Sequence, residues 1–437
     1  MNQMIKEVIT RKKYQNGSTK WSLPRGSTRS DRPPIAARHV VAPAAVAAAD
    51  ENTRELERVL DAFGMAERPS LSPFFNDEPL IPLFGTALND PRTGRFQESV
   101  GAIDIDPGLA YARALGETVE RYCQLYPSEN INLIFGDYKE VGAEKPSIYF
   151  PYPKLPVNLN KKRMKWCPVQ SFKDKQTHLV PARLIYLNED DYDPELDSIR
   201  STSGAALGFS YEDAVFRGLC ELIERDAFFI NYLAKMTPPR IDVSNMERVE
   251  RLIEYFNRYR LDVHLFDISL DLSPPVVMSI VIDRSGKGPA IGIGTVCGTD
   301  IETSVIKAVL DAQQIRRFTR MLYLQNEGMP HDDLIKARAM YWYGPENIEK
   351  LDFFLSSKKT IRLGCDLGKQ DILKCFPYEI LVADLTLPGI DRFSVVKVLV
   401  PELVPLFFDD RYPPTRCIRL MKYIENGELN QVPHPFI

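Results

Sequence analysis

The chain has 437 residues, enough for one large core or two to three smaller ones. Its apolar and charged fractions, 44% and 26%, are those of an ordinary folded protein, and a net charge of -4 argues against a general nucleic-acid binder, which carries a basic face. Seven cysteines stand singly (Cys123, Cys167, Cys220, Cys297, Cys365, Cys375, Cys417), with no C-x-x-C pair; this excludes a disulfide framework and a structural zinc site and fits a reducing, cytoplasmic setting.

The first forty residues are basic (Lys6, Arg11, Lys12, Lys13, Lys20, Arg25, Arg29, Arg32, Arg38) without a prompt apolar stretch behind them. Val40 to Ala49 is Ala-rich, broken by Pro43, and too short to span a bilayer. We expect a basic tail that is disordered or docks a partner, and no membrane segment. Leu56, Val59, Leu60 and Phe63 fall at helical spacing, and Gly64 reads as the stop. Residues 66–95 are Pro-rich and read as loop. A helix is expected from Pro107 toward Tyr126, capped by Asp106. Residues 148–168 read as irregular, and 179–186 as an edge strand with Pro181 near its start. A long helix is predicted over 210–233 with Ser210 as its cap, then a helix over 249–259. Strands are predicted at 263–268, 276–283 and 290–296, a long amphipathic helix over 302–323, and strands at 380–385 and 395–400. The end from Pro413 reads as mostly irregular. Strands and helices interleave, so the class is α/β or α+β, mixed sheets with packed helices. The organisation expected is a tail with a short helix over 1–65, followed by one domain over 66–437.

Two of these helices carry the same pattern in register. One reads Arg113-Ala-Leu115-Gly-Glu117-Thr-Val119-Glu120-Arg121, the other Arg217-Gly-Leu219-Cys-Glu221-Leu-Ile223-Glu224-Arg225. Glutamates three apart lie on one helix face, so each helix presents a carboxylate pair. Packed side by side, the helices would gather four carboxylates and several guanidinium groups. Buried carboxylates repel and are costly to desolvate, and a hard divalent cation relieves both problems. Magnesium suits the role because it shares its shell with waters and phosphates, and the arginines suit phosphate. The plain alternative is a solvated face or a structural ion-pair network. The second pair weighs against a solvated face, because Leu219, Cys220, Leu222, Ile223, Ala227 and Phe228 surround it nearly all the way round. A third helix, Asp311 to Arg317, carries an acid, amides and arginines and on its own reads as exposed.

At these residues the sequence resembles the YcaO family. The resemblance rests on Thr202-Ser203-Gly204-Ala205-Ala206-Leu207-Gly208, Asp213-Ala214, Glu221 through Ala227, Glu117-x-x-Glu120-Arg121-Tyr122, Asp311 through Arg316, Pro181-Ala182, and Val395 through Pro401. It covers about residues 90–437. It implies a YcaO fold that holds ATP and Mg2+ between helices and phosphorylates peptide amide oxygens. Carried over, Glu117, Glu120, Glu221 and Glu224 become metal-site candidates. Arg113, Arg121, Ser203, Asp213, Arg225, Gln314 and Arg316 become nucleotide-contact candidates. The ending, Val432-Pro433-His434-Pro435-Phe436-Ile437, is similar to the Pro-x-Pro-x-Pro tail of azoline-forming members, with Ile437 for the last proline. Pro433, His434, Pro435 and Ile437 are thereby catalytic candidates, with His434 as a possible proton carrier or a plain solvated side chain.

The sequence departs from the family at four further places. Gly101-Ala102-Ile103-Asp104 stands where many members have Gly-Lys-Gly, and Arg113 stands where many have Ser. Asp213 and Asp311 replace Glu. The reaction implied is ATP-dependent cyclodehydration of Cys, Ser or Thr in a ribosomally made precursor peptide to thiazoline or oxazoline. The neighbouring alternatives are thioamide or amidine formation, or a scaffold subunit that has lost ATP binding. No ThiF-like domain is visible, so the resemblance implies a separate leader-binding ThiF-like partner, a possible flavin-dependent dehydrogenase, and a homodimer within a hetero-complex.

Overall fold

The computed structural model describes residues 50–89, 96–125, 131–152, 159–187, 201–325, 334–410, 413–424 and 427–436. The basic segment 1–49 and Ile437 lie outside the described residues. Helix α1, Glu51–Phe63, is capped by Asp50, whose carboxylate accepts from Thr53 N at 2.8 Å, and it stops at Gly64 in the left-handed conformation, φ 59°. Its apolar stripe, Leu56, Val59 and Leu60, packs into the same core as Tyr111, Ala114 and Leu115 of the next helix. The helix placed in the N-terminal segment therefore belongs to the packed body.

The Pro-rich stretch expected to be loop instead supplies strands. β1 (Ser70–Leu71), β2 (Leu83–Asn89) and β3 (Phe96–Ile103) form a three-stranded antiparallel sheet, with Leu83 opposite Ile103. Helix α2, Pro107–Leu125, follows β3, and Asp106 caps it through Gly108 N at 2.7 Å and Leu109 N at 3.0 Å. Next come β4 (Ile134–Gly136), β5 (Met164–Ser171) and β6 (Thr177–Pro181). Pro181 ends β6 instead of starting it, and β5 arises inside a stretch read as irregular. Trp166 explains that strand: it is fully buried and donates its indole N–H to the Gly136 carbonyl at 3.0 Å.

β7 (Ala205–Gly208) leads into helix α3, Tyr211–Leu233, capped by Ser210 as its sequence predicts. β8 (Arg240–Ile241), helix α4 (Glu247–Asn257), and strands β9 (Leu261–Asp267), β10 (Val276–Asp283) and β11 (Ile291–Cys297) follow. Helix α5 runs Ile301–Gln325, then come β12 (Thr360–Ile361), β13 (Leu381–Asp384) and β14 (Ser394–Leu399). One sheet has the order β11-β10-β9-β8-β12; the other runs β4-β5-β13-β14-β7 with β6 paired to β5. Every pairing is antiparallel except β8 with β12.

Helix α3 lies against β7 and β14 of one sheet and β11 of the other. This explains an apolar character that runs around the helix: Leu219, Ile223, Ala227, Phe228 and Phe229 are all buried. Two close approaches set the packing. A Cβ on Gly218 would lie 2.6 Å from the Gly204 carbonyl, and one on Gly294 would lie 2.1 Å from the Ala308 carbonyl of α5. Among the described residues no helix is long and apolar enough to cross a membrane.

Candidate functional site

Helices α2 and α3 bring their duplicated motifs together at the seam between the sheets. Three of the four carboxylates are each aimed by a different piece of backbone. Glu120 accepts from Leu207 N on β7 at 3.0 Å, and Glu221 from Gly204 N at 3.2 Å. Glu224 accepts from Cys297 N at the end of β11 at 2.7 Å. Arg225 pairs with Glu221 at 2.9 Å and reaches Glu224 at 3.4 Å, while Arg121 faces Glu117 at 3.4 Å.

The charges do not balance comfortably. Burial, reinforced by the Glu221 and Glu117 carboxylates, pushes Glu120 up to about 8 against the pull of Arg121 and the Leu207 N–H. Burial likewise raises Glu224 to about 7 against Arg225, Lys307 and the Cys297 N–H. Asp311 on α5 is raised by burial and feels Lys307, Arg113 and Arg225, which places its carboxylate at the same cluster. The gap thus holds carboxylates that burial makes costly to keep charged even with these cations beside them.

Two polar groups carried by the same segments also lack partners. Ser203 Oγ and Arg225 Nε are buried and make no hydrogen bond within the protein. A group with phosphate oxygens and a divalent cation fits these residues: the cation would relieve the carboxylates, and the oxygens would take the hydroxyl and guanidinium donors. Among the described residues no three acidic, imidazole or thiol groups converge tightly enough to enclose an ion on their own. Mg2+ needs only one or two carboxylates when waters and phosphates complete its shell.

The remaining sequence candidates divide. Arg113 pairs with Asp104 at the mouth and is one of the cations acting on Asp311. Gln314 donates to the Gly101 carbonyl at 2.8 Å, which ties α5 to β3. Arg316 points away from the glutamates. It is fully buried, donates to the Pro289 carbonyl, and faces Glu78 at 3.7 Å and Asp283 at 3.8 Å, the periodicity of α5 having put Asp311 and not Arg316 on the site face. Asp213 caps the Phe209 N–H at 3.3 Å and is paired with Arg217 and Lys369 at the start of α3, two turns before Glu221.

The C-terminal segment folds back along α3. The Pro433 carbonyl accepts from Trp342 Nε1 and the Tyr232 hydroxyl, each at 3.0 Å. Arg338 donates to the His434 carbonyl at 3.0 Å. Phe436 then stacks on Arg225, 4.4 Å from guanidinium carbon to ring centre, so the tail reaches the site. His434 corrects an expectation. Its imidazole is buried among Phe228, Phe229, Tyr232 and Phe407, and Nε2 meets the Phe407 carbonyl at 2.6 Å. Burial, with Arg338 nearby, holds it neutral far below the ordinary range. It is an anchor and not a solvated side chain or a proton carrier.

Sequence reasoning left one charged group out of the site. Lys397 on β14 is buried, and Glu221, Arg121 and Glu120 all act on it. Its only signal was a lysine inside the apolar run Val395 to Val400, where an unpaired charge is costly.

The model of the YcaO cyclodehydratase family, described as ATP- and Mg2+-binding, matches residues 105–404. An uncharacterized protein of Methanothermobacter thermautotrophicus is 27% identical over 277 residues, 60% of this chain and 69% of that protein. Among solved structures, a heterocyclase in complex with substrate and cofactor superposes with a TM-score of 0.69 at 18% identity, covering 87% of this chain but 57% of that one. YcaO from Methanopyrus kandleri bound with AMPPCP and Mg2+ gives 0.57 at 18% identity, covering 80% and 91%. The E. coli microcin synthetase McbBCD complex with pro-MccB17 bound gives 0.60 at 14%, covering 84% and 96%. At these identities the structural likenesses show a shared fold, and the chain spans little more than half of the heterocyclase.

Proposed function

The chain belongs to the YcaO family, whose members bind ATP and Mg2+, and from that premise we propose that it is a cyclodehydratase that converts Cys, Ser or Thr of a precursor peptide to thiazoline or oxazoline. The observation that carries this reading is the gap between α2 and α3, where four glutamates meet, burial raises Glu120 and Glu224, and Ser203 Oγ and Arg225 Nε stand unpartnered. ATP supplies the phosphoryl group that takes up the amide oxygen, so that it leaves as phosphate. The chain's own share is positioning and charge neutralisation. Glu120, Glu221 and Glu224, each fixed by a backbone N–H, would hold Mg2+ with Glu117. Arg121, Arg225 and Ser203 would meet the phosphates, with Arg113 at the mouth. The tail, with Phe436 on Arg225, closes the site against water.

The second reading is thioamide or amidine formation at the same site. It is favoured by one observation: His434 is caged, which leaves the described tail without a free acid or base. A scaffold that has lost ATP binding fits poorly with a full set of glutamates. The seven free thiols support a cytoplasmic setting. A peptide substrate, a leader-binding ThiF-like partner, a flavin-dependent dehydrogenase and a homodimer within the complex belong to this proposal, supported by the fold likeness to the microcin synthetase complex.

The test incubates the protein with ATP, Mg2+, the partner and candidate precursor and weighs the peptide. Loss of one water per modified residue, abolished by Glu221→Gln, is expected. Exchange of oxygen for sulfur when sulfide is supplied moves the assignment to thioamide formation. An unchanged peptide with no ADP formed leaves the scaffold.

A further inference from the structure

Lys397 is the one lysine of β14, and its surroundings are unusual. Its Nζ donates to the Ser201 carbonyl at 2.6 Å and to the Ser203 carbonyl at 2.7 Å. An ammonium has three protons, and these carbonyls take two. The acids that act on it are Glu221 and Glu120, one from each helix, while Arg121 opposes them. It therefore lies near both halves of the carboxylate cluster.

The segment it grips is the one that aims the site. Residues 201–204 carry Ser203 Oγ, which is buried and unpartnered, and Gly204 N, which donates to Glu221. Gly204 stands at φ +87°, and a Cβ there would lie 2.4 Å from the Val398 carbonyl, so the turn is pressed tightly against β14. Val398 N, next to Lys397, donates to the Gly204 carbonyl at 2.8 Å. One residue further on, Ala205 begins β7 opposite Lys397, and two residues beyond that Leu207 N holds Glu120. The backbone donors of two site glutamates thus hang on a turn whose Ser201 and Ser203 carbonyls converge on one ammonium, with the Gln124 amide as a second, longer donor to Ser201 at 3.3 Å.

We propose that Lys397 is a positioning residue of the nucleotide site: it clamps the 201–204 turn so that Ser203 Oγ and Gly204 N–H are held beside the gap. Methionine fills the volume but leaves the buried Ser203 carbonyl unpaired and the Ser201 carbonyl with the Gln124 amide alone, at 3.3 Å. Glutamine can satisfy a carbonyl but is a shorter, uncharged donor. Arginine has donors for both carbonyls.

The inference rests on the nucleotide-site reading, and the experiment separates the two. Affinity for AMPPCP with Mg2+ is measured by calorimetry on the full chain for wild type, Lys397→Met, Lys397→Gln and Lys397→Arg, well below the unfolding temperature of each. Amide exchange of residues 202–207 is followed without ligand. Hydrogen bonds to a charged group are strong enough that their loss should weaken binding about tenfold or more in the Met and Gln variants. Exchange across 202–207 should accelerate in both while α3 and β14 stay protected, and the Arg variant should bind within about threefold of wild type. Wild-type protein that fails to bind AMPPCP with Mg2+ overturns the nucleotide reading. Wild-type binding matched by the Met or Gln variant, with unchanged exchange, overturns the role of Lys397. Should both neutral variants fail to fold, the Arg variant decides: binding near wild type upholds the clamp, and a folded Arg variant weakened tenfold with normal exchange overturns it.

Discussion

His434→Ala separates anchoring from proton transfer. The imidazole packs against Phe229 at 4.8 Å and Phe407 at 5.2 Å between ring centres, and its Nε2 hydrogen bonds to the Phe407 carbonyl. Truncation opens a cavity and leaves a buried carbonyl unpaired, a cost of about 2–4 kcal/mol at pH 7.5. The pH dependence sharpens the prediction. Burial first, and the Arg338 charge second, lower the folded-state pKa of His434 well below its ordinary 6.5. The unfolded chain therefore binds the proton more readily, so the stability from neutral His434 is present above about pH 6.5 and is lost as pH falls below it. At pH 5, below the ordinary value, the wild type has therefore lost stability through this group and the variant has not. The stability gap between the two should shrink as the pH falls from 7.5 to 5.0. Urea unfolding of both proteins at pH 7.5 and pH 5.0 measures it, and His264, present in both, cancels. A gap that is the same at both pH values would refute the argument. So would a variant of unchanged stability whose turnover loses one limb of its pH profile, which would make His434 a proton carrier after all.

Two further substitutions test the site and its surroundings. Glu120→Gln removes the carboxylate most strongly opposed by burial, so the ligand-free protein should gain about 1 kcal/mol while binding of AMPPCP with Mg2+ falls by an order of magnitude or more; an unfolding midpoint that drops shows instead that the charge is already paid for by Arg121. Arg316→Met leaves the Pro289 carbonyl unpaired and takes a buried cation from Asp283, while Glu78 keeps Arg320 and Gln313, which should destabilise the protein by about 2–3 kcal/mol with little change in nucleotide affinity. Affinity lost at full stability would return Arg316 to the phosphate contacts.

What the sequence made legible follows from where side chains alone carry the signal. The caps of α2 and α3 are read from Asp106 and Ser210 because a short polar side chain accepts a backbone N–H three residues on or nearer. The repeated Glu-x-x-Glu-Arg pattern could be seen because helical spacing puts both carboxylates on one face. The strands between Ser70 and Ile103 were hidden by prolines and by residues such as Gly85, whose partner Gly101 lies across the sheet. Their pairing is a long-range fact. The misplacement of Arg316 has the same origin: amphipathicity shows that α5 has two faces but not which face meets α3. Lys397 was invisible as a site residue because its partners are carbonyls, and a carbonyl carries no sequence identity.

The duplicated motif is not a duplicated environment, and the difference explains where the site must lie. Glu120 takes its N–H from β7, in the six-stranded sheet, while Glu224 takes its N–H from the end of β11, in the five-stranded sheet. Glu221 is held by the turn that leads into β7 and is pressed onto β14 through Gly204. The carboxylates are therefore spaced by the distance between two sheets, and α3, buried between them, sets that distance. The same helix carries Phe228, Phe229 and Tyr232 two turns further on, where they cage His434 and bind the Pro433 carbonyl. One rigid element thus fixes both the glutamates at its middle and the tail at its end, which is why Phe436 can meet Arg225 without any contact of its own to the sheets' strand edges being required. A helix with these two duties is covered on most sides, and the apolar residues of 219–233 accordingly surround its glutamates, Arg225 and Asp226.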